Sequence, residues 1–198
     1  MDILNTLKEN WIIAIIVAVV GWIIAIYNKL VKAKLLVESS WSDIDTLLKK
    51  RYDLIPNLLE TVKGYASHEQ DTLNGVVEAR AKAGQMNIDL SKATPEQMMA
   101  FQASQGELTQ MLGKLFALSE SYPDLKADTS FLNLQKELSE IEGEINMSRR
   151  MYNGAVRAFN ELIQMFPSNI IAKIFGFADK KFFELDDEKE RENVKVKF

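Results

Sequence analysis

The side chains that could do acid–base or metal chemistry are few in this sequence and widely spaced. The carboxylates that stand out are Glu60, Glu69 and Glu142, and the single histidine, His68, directly precedes Glu69. Acid–base catalysis needs two such groups within reach of one substrate, and a di-iron bundle needs two Glu-x-x-His motifs. The residue three before His68 is Tyr65, so that motif is absent. We therefore predict that His68 and Glu69 form a solvated helix pair, and we predict no catalytic and no metal-binding residues.

The composition excludes several further classes of function. Cysteine is absent from all 198 residues, which leaves no disulfide, catalytic thiolate, zinc ribbon or iron–sulfur cluster. The sequence holds no Gly-rich phosphate loop, nucleophile elbow or cofactor motif. The net charge of −4, with both signs interspersed, argues against nucleic acid as a partner. We predict a protein that is not an enzyme and binds no cofactor, and keep an enzyme as the less favoured alternative.

Hydrophobic spacing predicts an all-α fold. No strand-like alternation appears, and the chain has only four prolines and nine glycines. Apolar residues recur at alternating steps of three and four in two long stretches, which we call seams. Within them, Arg51 is a polar exception and Ser148 is a small one. The two seams are Trp41, Ile44, Leu48, Arg51, Ile55, Leu58, Val62 and Tyr65, and Phe131, Leu134, Leu138, Ile141, Ile145, Ser148, Tyr152, Ala155, Phe159, Leu162 and Phe166. They predict a bundle of three to four long helices with coiled-coil character.

Local signals predict where these helices bend and end. The three-and-four spacing of the first seam continues without a shift across Pro56, which favours one curved or kinked helix. Asp53 could cap a helix that restarts at this point. Thr94 and Gln97 form a capping box around Pro95, which predicts a third helix over Pro95–Ser119. Loops are expected at Gly84–Ser91 and Ser121–Lys126. Arg51 in a seam predicts a carboxylate partner from another helix, and Glu142 is our candidate.

The run Trp11–Tyr27 predicts a membrane-spanning helix over residues 11–30, after a short segment over residues 1–10. It contains no charged residue, spans about 25 Å, and places Trp11, Trp22 and Tyr27 at the interfacial levels. A buried core helix is one alternative. A cleaved signal peptide is another, but the run is longer than the apolar region of a usual signal peptide and no A-x-A cleavage site follows it. We expect an uncleaved anchor.

Basic residues after the run predict its orientation. Lys29, Lys32 and Lys34 follow it, whereas only Lys8 precedes it. The positive-inside tendency places the N-terminus outside the cell and the C-terminal domain in the cytoplasm. The three lysines could also contact anionic lipid head groups, although orientation is the favoured interpretation.

The composition changes at the end of the predicted bundle domain, residues 31–167. Residues 168–183 form an apolar segment, and residues 184–198 form a tail with charges of both signs. The segment either caps the bundle end, which we favour, or is an exposed docking element for membrane or protein. Its candidate interaction residues are Ile170, Ile171, Ile174, Phe175 and Phe177.

Several ordered motifs resemble the LemA family. They include Trp41-Ser42-Asp43-Ile44-Asp45, Lys50-Arg51-Tyr52-Asp53-Leu54-Ile55-Pro56-Asn57-Leu58, His68-Glu69, Tyr122-Pro123-Asp124, Glu142, Arg149-Arg150, Tyr152-Asn153, Phe159-Asn160 and Phe166-Pro167-Ser168. The resemblance covers Tyr27 to about Phe183, and we expect the tail after Glu184 to be particular to this chain. The resemblance implies a bacterial single-pass membrane protein with a long antiparallel helical bundle and no assigned catalytic activity. It also hints at a membrane metalloprotease as partner and at envelope maintenance.

Together these observations predict a membrane-anchored helical scaffold or adaptor at the bacterial inner membrane. Its expected partners are the lipid bilayer and either further copies of the chain or another membrane protein, because narrow apolar seams pair equally well within or between chains. The alternative is a membrane-remodelling or lipid-interacting oligomer. A signal-transmitting sensor or an enzyme ranks lower.

Overall fold

The computed structural model describes residues 3–86, 88 and 93–183, with side chains from residue 10 onward. The predicted tail, 184–198, and part of the predicted loop Gly84–Ser91 lie outside the described residues. The elements are α1 (Ile3–Tyr65), α2 (Gln70–Gln85), α3 (Pro95–Ser119), α4 (Pro123–Ala127), α5 (Thr129–Gln164) and α6 (Ser168–Ile174). The described residues contain no strand, so the all-α prediction is confirmed.

Helix α1 runs without interruption for 63 residues, from the apolar run into the core of the bundle. Tyr27 and Asn28 carry no turn, as their sequence predicted, and Pro56 lies inside the helix. A proline removes one backbone hydrogen bond, but burial of Ile55 and Leu58 on either side favours continuation of the helix. The favoured prediction of one helix across Pro56 is therefore confirmed, and no second helix starts at Asp53.

Helices α1 and α5 pack as an antiparallel pair. Contacts join Tyr65 with Asp128, Arg51 with Glu142 and Trp41 with Tyr152, so numbering rises along one helix as it falls along the other. The predicted seams supply most of the buried face, which includes Ile44, Leu48, Ile55, Leu58 and Val62 of α1 and Phe131, Leu138, Ile141, Ile145, Tyr152, Ala155 and Phe159 of α5. Two seam positions are exposed: Tyr65, the last residue of α1, at 44%, and Phe166 at 79%, because α5 ends at Gln164 before that position.

Helices α2 and α3 form a second pair beside the first. The capping box at the start of α3 is confirmed: the Gln97 N–H donates to Thr94 Oγ1 over 3.2 Å, and the Thr94 N–H donates to Gln97 Oε1 over 3.0 Å. Helix α3 has the predicted bounds, Pro95–Ser119. Its Leu108, Leu112 and Leu115 are buried in a core shared with α1, α2 and α5.

Two local predictions need correction. The expected loop Ser121–Lys126 contains α4, whose Leu125 is buried in the core shared with α1, α2, α3 and α5. His68 lies in an exposed turn between α1 and α2 rather than in a helix, and Glu69 is the residue before α2. Glu69 Oε1 accepts a hydrogen bond of 2.8 Å from the Tyr122 hydroxyl, so its side chain ties this turn to the start of α4.

Candidate functional site

The N-terminal part of α1 exposes apolar side chains on every face. Its apolar 18-residue window has no buried residue, and within the described chain this is the one helix long and apolar enough to cross a membrane. Trp11 and Trp22 are about half exposed, and Tyr27 is 37% exposed. A helix that is apolar all round is stable in a protein core or in lipid, and the structure supplies no core here.

The first charged residues after this run are Lys29, Lys32 and Lys34. Lys29 and Lys32 are exposed, and Lys34 is half-buried. Lys34 Nζ lies 3.6 Å from Glu38 Oε1, one helical turn further on. The lysines thus form the basic border between the apolar run and the bundle.

Helix α6 folds back against α1 at this border. Ile171 and Ala172 are buried against Leu30 of α1, with Ile23 and Ile26 packed at the edge of the same cluster. The other face of α6 is exposed and apolar. It consists of Ile170, Ile174 and, just past the helix end, Phe175. The predicted interaction residues are therefore divided between a face that covers the bundle end and a face that nothing in the described structure covers.

Phe175 and Phe177 surround the tyrosine at the end of the apolar run. The ring of Tyr27 lies 4.7 Å from that of Phe175 and 5.9 Å from that of Phe177, measured between centroids. Phe177 also lies 6.3 Å from Phe159 of α5. Between these phenylalanines, Gly176 adopts φ +71°, a left-handed conformation that glycine takes without strain. The chain can therefore reverse here and run back along the bundle.

Residues 178–183, which we call the C-terminal strap, are held along α5 by two asparagines. Asn160 Nδ2 donates to the Lys180 carbonyl and Asn160 Oδ1 accepts from the Lys180 N–H, each over 2.9 Å. Asn153 makes the same pair of bonds with Phe183, each over 2.7 Å. Between them the Tyr152 hydroxyl donates to the Lys181 carbonyl over 2.8 Å. These bonds replace the backbone partners that a segment without helix or sheet lacks.

The strap ends in a buried aromatic cluster. Phe183 is 2% exposed, and its ring lies 6.2 Å from Trp41 and 6.0 Å from Phe101. The Arg149 guanidinium carbon lies 4.5 Å from the same ring, a cation–π contact. Burial lowers the pKa of Arg149, while the Glu142 carboxylate acts in the opposite direction. Phe183 had no predicted role. The spacing of Asn153 and Asn160, seven residues apart beside Tyr152 and Phe159, was the available signal.

A polar cluster crosses the middle of the bundle around the fully buried Arg51. Its Nη1 donates to Glu142 Oε2 over 2.8 Å and to Thr109 Oγ1 over 3.2 Å, and its Nη2 donates to Gln105 Oε1. The predicted pairing of Arg51 with Glu142 is confirmed. Thr109 in turn donates to Glu142 Oε1 over 3.3 Å. One guanidinium therefore joins helices α1, α3 and α5.

Tyr52 extends the cluster to α2. Its hydroxyl lies 2.9 Å from Gln105 Oε1, 2.6 Å from Gln105 Nε2 and 3.3 Å from the Ala83 carbonyl. Burial raises the pKa of Tyr52, although the Gln105 hydrogen bond acts against this. Arg80 Nε donates to the Tyr52 carbonyl over 2.9 Å. The cluster connects four helices. None of its members forms an acid–base pair that faces solvent.

The carboxylates singled out in the sequence do not meet. Glu142 pairs with Arg51, Glu69 accepts from Tyr122, and Glu60 is exposed on α1. Within the part of the chain that the structure describes, no three Asp, Glu or His side chains are grouped as metal ligands. The described features that could act on another molecule include the apolar run, its basic border and the exposed face of α6.

The sequence model of the LemA family matches residues 40–198, which is most of the chain. The chain belongs to the LemA family. The match runs through the tail, so the expectation that the tail is particular to this chain was wrong. Motif residues that carried the resemblance, Trp41, Arg51, Asn153 and Asn160, are those that build the aromatic cluster, the polar cluster and the strap contacts.

Individual relatives show the same similarity. Protein LemA of Metamycoplasma hominis is 27% identical over 160 residues, covering 81% of this chain and 69% of the relative. Magnetosome protein MamQ 2 of Paramagnetospirillum magneticum is 23% identical over 190 residues, covering 85% of this chain and 68% of the relative. Magnetosome protein MamQ of Magnetospirillum gryphiswaldense is 21% identical, with the same two shares.

Proposed function

We propose that this LemA family protein is a membrane-anchored, non-enzymatic scaffold that presents a rigid helical bundle at the bacterial inner membrane. The observation that carries the proposal is the continuity of α1 from the apolar run to the far end of the bundle. No linker separates anchor from domain, so the bundle is held in one orientation relative to the span. From Tyr27 to Tyr65 the helix rises about 57 Å at about 1.5 Å per residue, which sets the reach of the scaffold.

The scaffold acts by binding either further copies of itself or another membrane protein. Exposed apolar side chains on the bundle support this, because Met147 and Met151 lie one turn apart on the outer face of α5 and are each more than half exposed. Methionine side chains adapt to different partner surfaces. A membrane metalloprotease is the partner class suggested by the resemblance, and envelope maintenance is the process.

Localisation follows from the basic border. Lys29, Lys32 and Lys34 on the bundle side favour an N-terminus outside the cell and a cytoplasmic bundle. A lipid-interacting or membrane-remodelling oligomer is the second candidate function. The exposed apolar face of α6 supports it.

Site-specific crosslinking in intact membranes tests the scaffold proposal. The native chain has no cysteine, so Met147→Cys and Met151→Cys each carry a single reactive site for a photoactivatable crosslinker. We expect both variants to capture one defined chain, identified by mass spectrometry as a second copy or another membrane protein. Glu137→Cys, at an exposed polar position of the same helix, is the matched control. If the methionine positions capture no more than Glu137→Cys, the proposal fails for this surface.

A further inference from the structure

We propose that the corner between α5 and α6, residues Met165–Phe175, is a second membrane contact that inserts into the same leaflet as the end of the α1 span. Its occupant is the interfacial layer of the bilayer, where acyl chains meet head groups. This inference rests on α1 as a membrane span and holds whether or not the bundle acts as a scaffold.

The height of the corner along α1 is the first argument. Met165 and Phe166 line one cleft with Trp22 and Ile26 of α1. Trp22 precedes Tyr27 by five residues, which is about 7 Å along a helix at about 1.5 Å per residue. The corner therefore overlaps the last turns of the apolar run. Interfacial helices bury their apolar face about 5–10 Å into a leaflet, which is the same range of depth.

The exposed side chains of the corner are the second argument. Phe166 is 79% exposed, Ile174 is 69% exposed and Met165 is 61% exposed, more than most other large apolar side chains of the described bundle. They adjoin the exposed apolar surface of α1, so the two surfaces form one continuous apolar region. A bilayer that receives Trp22 must meet the side chains that share its cleft.

Charge is the third argument and it favours lipid over a second copy. The sequence has no Asp or Glu from Met165 to Ala178, and none from Asn10 to Val37. The charged residues in these two stretches are Lys29, Lys32, Lys34 and Lys173, and Lys173 is exposed on α6. Anionic lipid head groups neutralise the positive charge of these lysines. Two copies meeting at this surface would instead bring lysines of like charge together.

Depth measurements on the full chain in vesicles test the proposal. Phe166→Cys and Ile174→Cys are made singly in the cysteine-free chain, labelled with a nitroxide, and reconstituted into vesicles of phosphatidylethanolamine with phosphatidylglycerol. Electron paramagnetic resonance then compares collisions with oxygen, which concentrates in lipid, and with a water-soluble nickel chelate. Val77→Cys, at an exposed apolar position on α2, is the matched control. Circular dichroism checks that each variant is folded.

We expect both corner positions to show several-fold lower nickel accessibility than Val77 together with high oxygen accessibility. Nickel accessibility equal to that at Val77 would place the corner in water and overturn the proposal. Low accessibility to both reagents would also overturn it, because the corner would then be covered by protein. In that case, spectral broadening that disappears on dilution with unlabelled chain would identify a second copy as the cover. A spectrum that is unchanged on dilution would identify another part of the same chain as the cover.

Discussion

Arg51 is fully buried, while the Glu142 side chain that neutralises it is 26% exposed. A buried cation is tolerated when it is paired and hydrogen-bonded, and here Glu142, Thr109 and Gln105 accept from the two Nη atoms, whereas the buried Nε has no hydrogen-bond partner among the described residues. The contribution of the cluster to stability therefore depends on the one carboxylate that balances the charge.

We expect Glu142→Gln to lower the free energy of unfolding by about 1–3 kcal/mol, because the amide keeps an acceptor but leaves the buried guanidinium without a counter-charge. The measurement is denaturant unfolding of the full chain in detergent micelles, followed by near-ultraviolet circular dichroism. Glu144→Gln, at an exposed position on the same helix, should change stability little. Equal losses in the two variants would contradict a role for the pair.

The asparagine contacts of the strap give a second prediction at this scale. Asn160→Ala should speed hydrogen exchange at the Lys180 amide, and Asn153→Ala should do so at the Phe183 amide, because each variant removes the acceptor of that N–H. Nuclear magnetic resonance or mass spectrometry of exchanged peptides reports the change. Asn133→Ala, exposed on α5, is the control. Unchanged exchange at both amides would show that Phe183 packing alone holds the strap.

Residue pairs differed in how far the sequence could predict them. Arg51 interrupts an apolar seam, and a cation at such a buried position needs a carboxylate partner. Its pairing with Glu142 could therefore be inferred. The strap could not, because its contacts use backbone groups and a segment without periodicity. Asn153 and Asn160 look like ordinary polar residues of a helix until the chain that they bind is placed beside them.

At the scale of elements, Asp128 joins the ends of two helices. Its Oδ1 accepts from the Phe131 N–H over 2.8 Å, which caps α5, and its Oδ2 accepts from the Tyr65 hydroxyl at the end of α1 over 3.0 Å. The backbone bond from Phe131 and then the Tyr65 bond lower the pKa of Asp128. The bond to Asp128 correspondingly raises the pKa of Tyr65.

These shifts set a direction for the pH dependence. A carboxyl with a lowered folded pKa stabilises the fold above its unfolded pKa, and this stabilisation is lost as the pH falls through the folded pKa. We therefore expect Asp128→Asn to lower the melting temperature at neutral pH and to match the native chain in strong acid. Thermal melts across acidic to neutral pH measure this. Asp124→Asn, exposed on α4, is the control, and a difference that persists in strong acid would contradict the assignment.

Long elements were predictable and short ones were not. The seam through Pro56 predicted one helix because several turns on each side shared one phase, and Thr94 with Gln97 fixed the start of α3. Helix α4 has five residues, too few for a periodic pattern, and its sequence Pro-Asp-Leu-Lys-Ala equally suits a turn. Burial of Leu125 in the shared core, which accompanies this helix, is visible only in the folded chain.

At the scale of the whole molecule, the orientation in the membrane remains a prediction. We expect Met147→Cys to be shielded from a membrane-impermeant maleimide in intact cells and to react after permeabilisation, because the lysine border favours a cytoplasmic bundle. Labelling is read by mass shift on a gel. Reaction in intact cells would reverse the assignment. A cysteine-containing periplasmic protein in the same cells serves as the positive control for reagent access.

The family resemblance implied the antiparallel architecture and the two seams indicated which helix faces pack, but neither predicted the position of α6 beside the span. Ile170–Phe177 reads as apolar in sequence, and both proposed roles fitted that composition. Its split into an inner and an outer face depends on Leu30, more than a hundred residues earlier in the chain. A single sequence carries no signal for such a distant contact.

The unbroken α1 helix also makes the molecule a lever. A sideways load at the turn between α1 and α2 acts at the end of an arm of about 57 Å, and no flexible joint dissipates it before Trp22. The tilt of the membrane segment and the position of the distal tip are therefore mechanically coupled. Pro56 lacks an N–H and so marks the point along this arm where bending costs least.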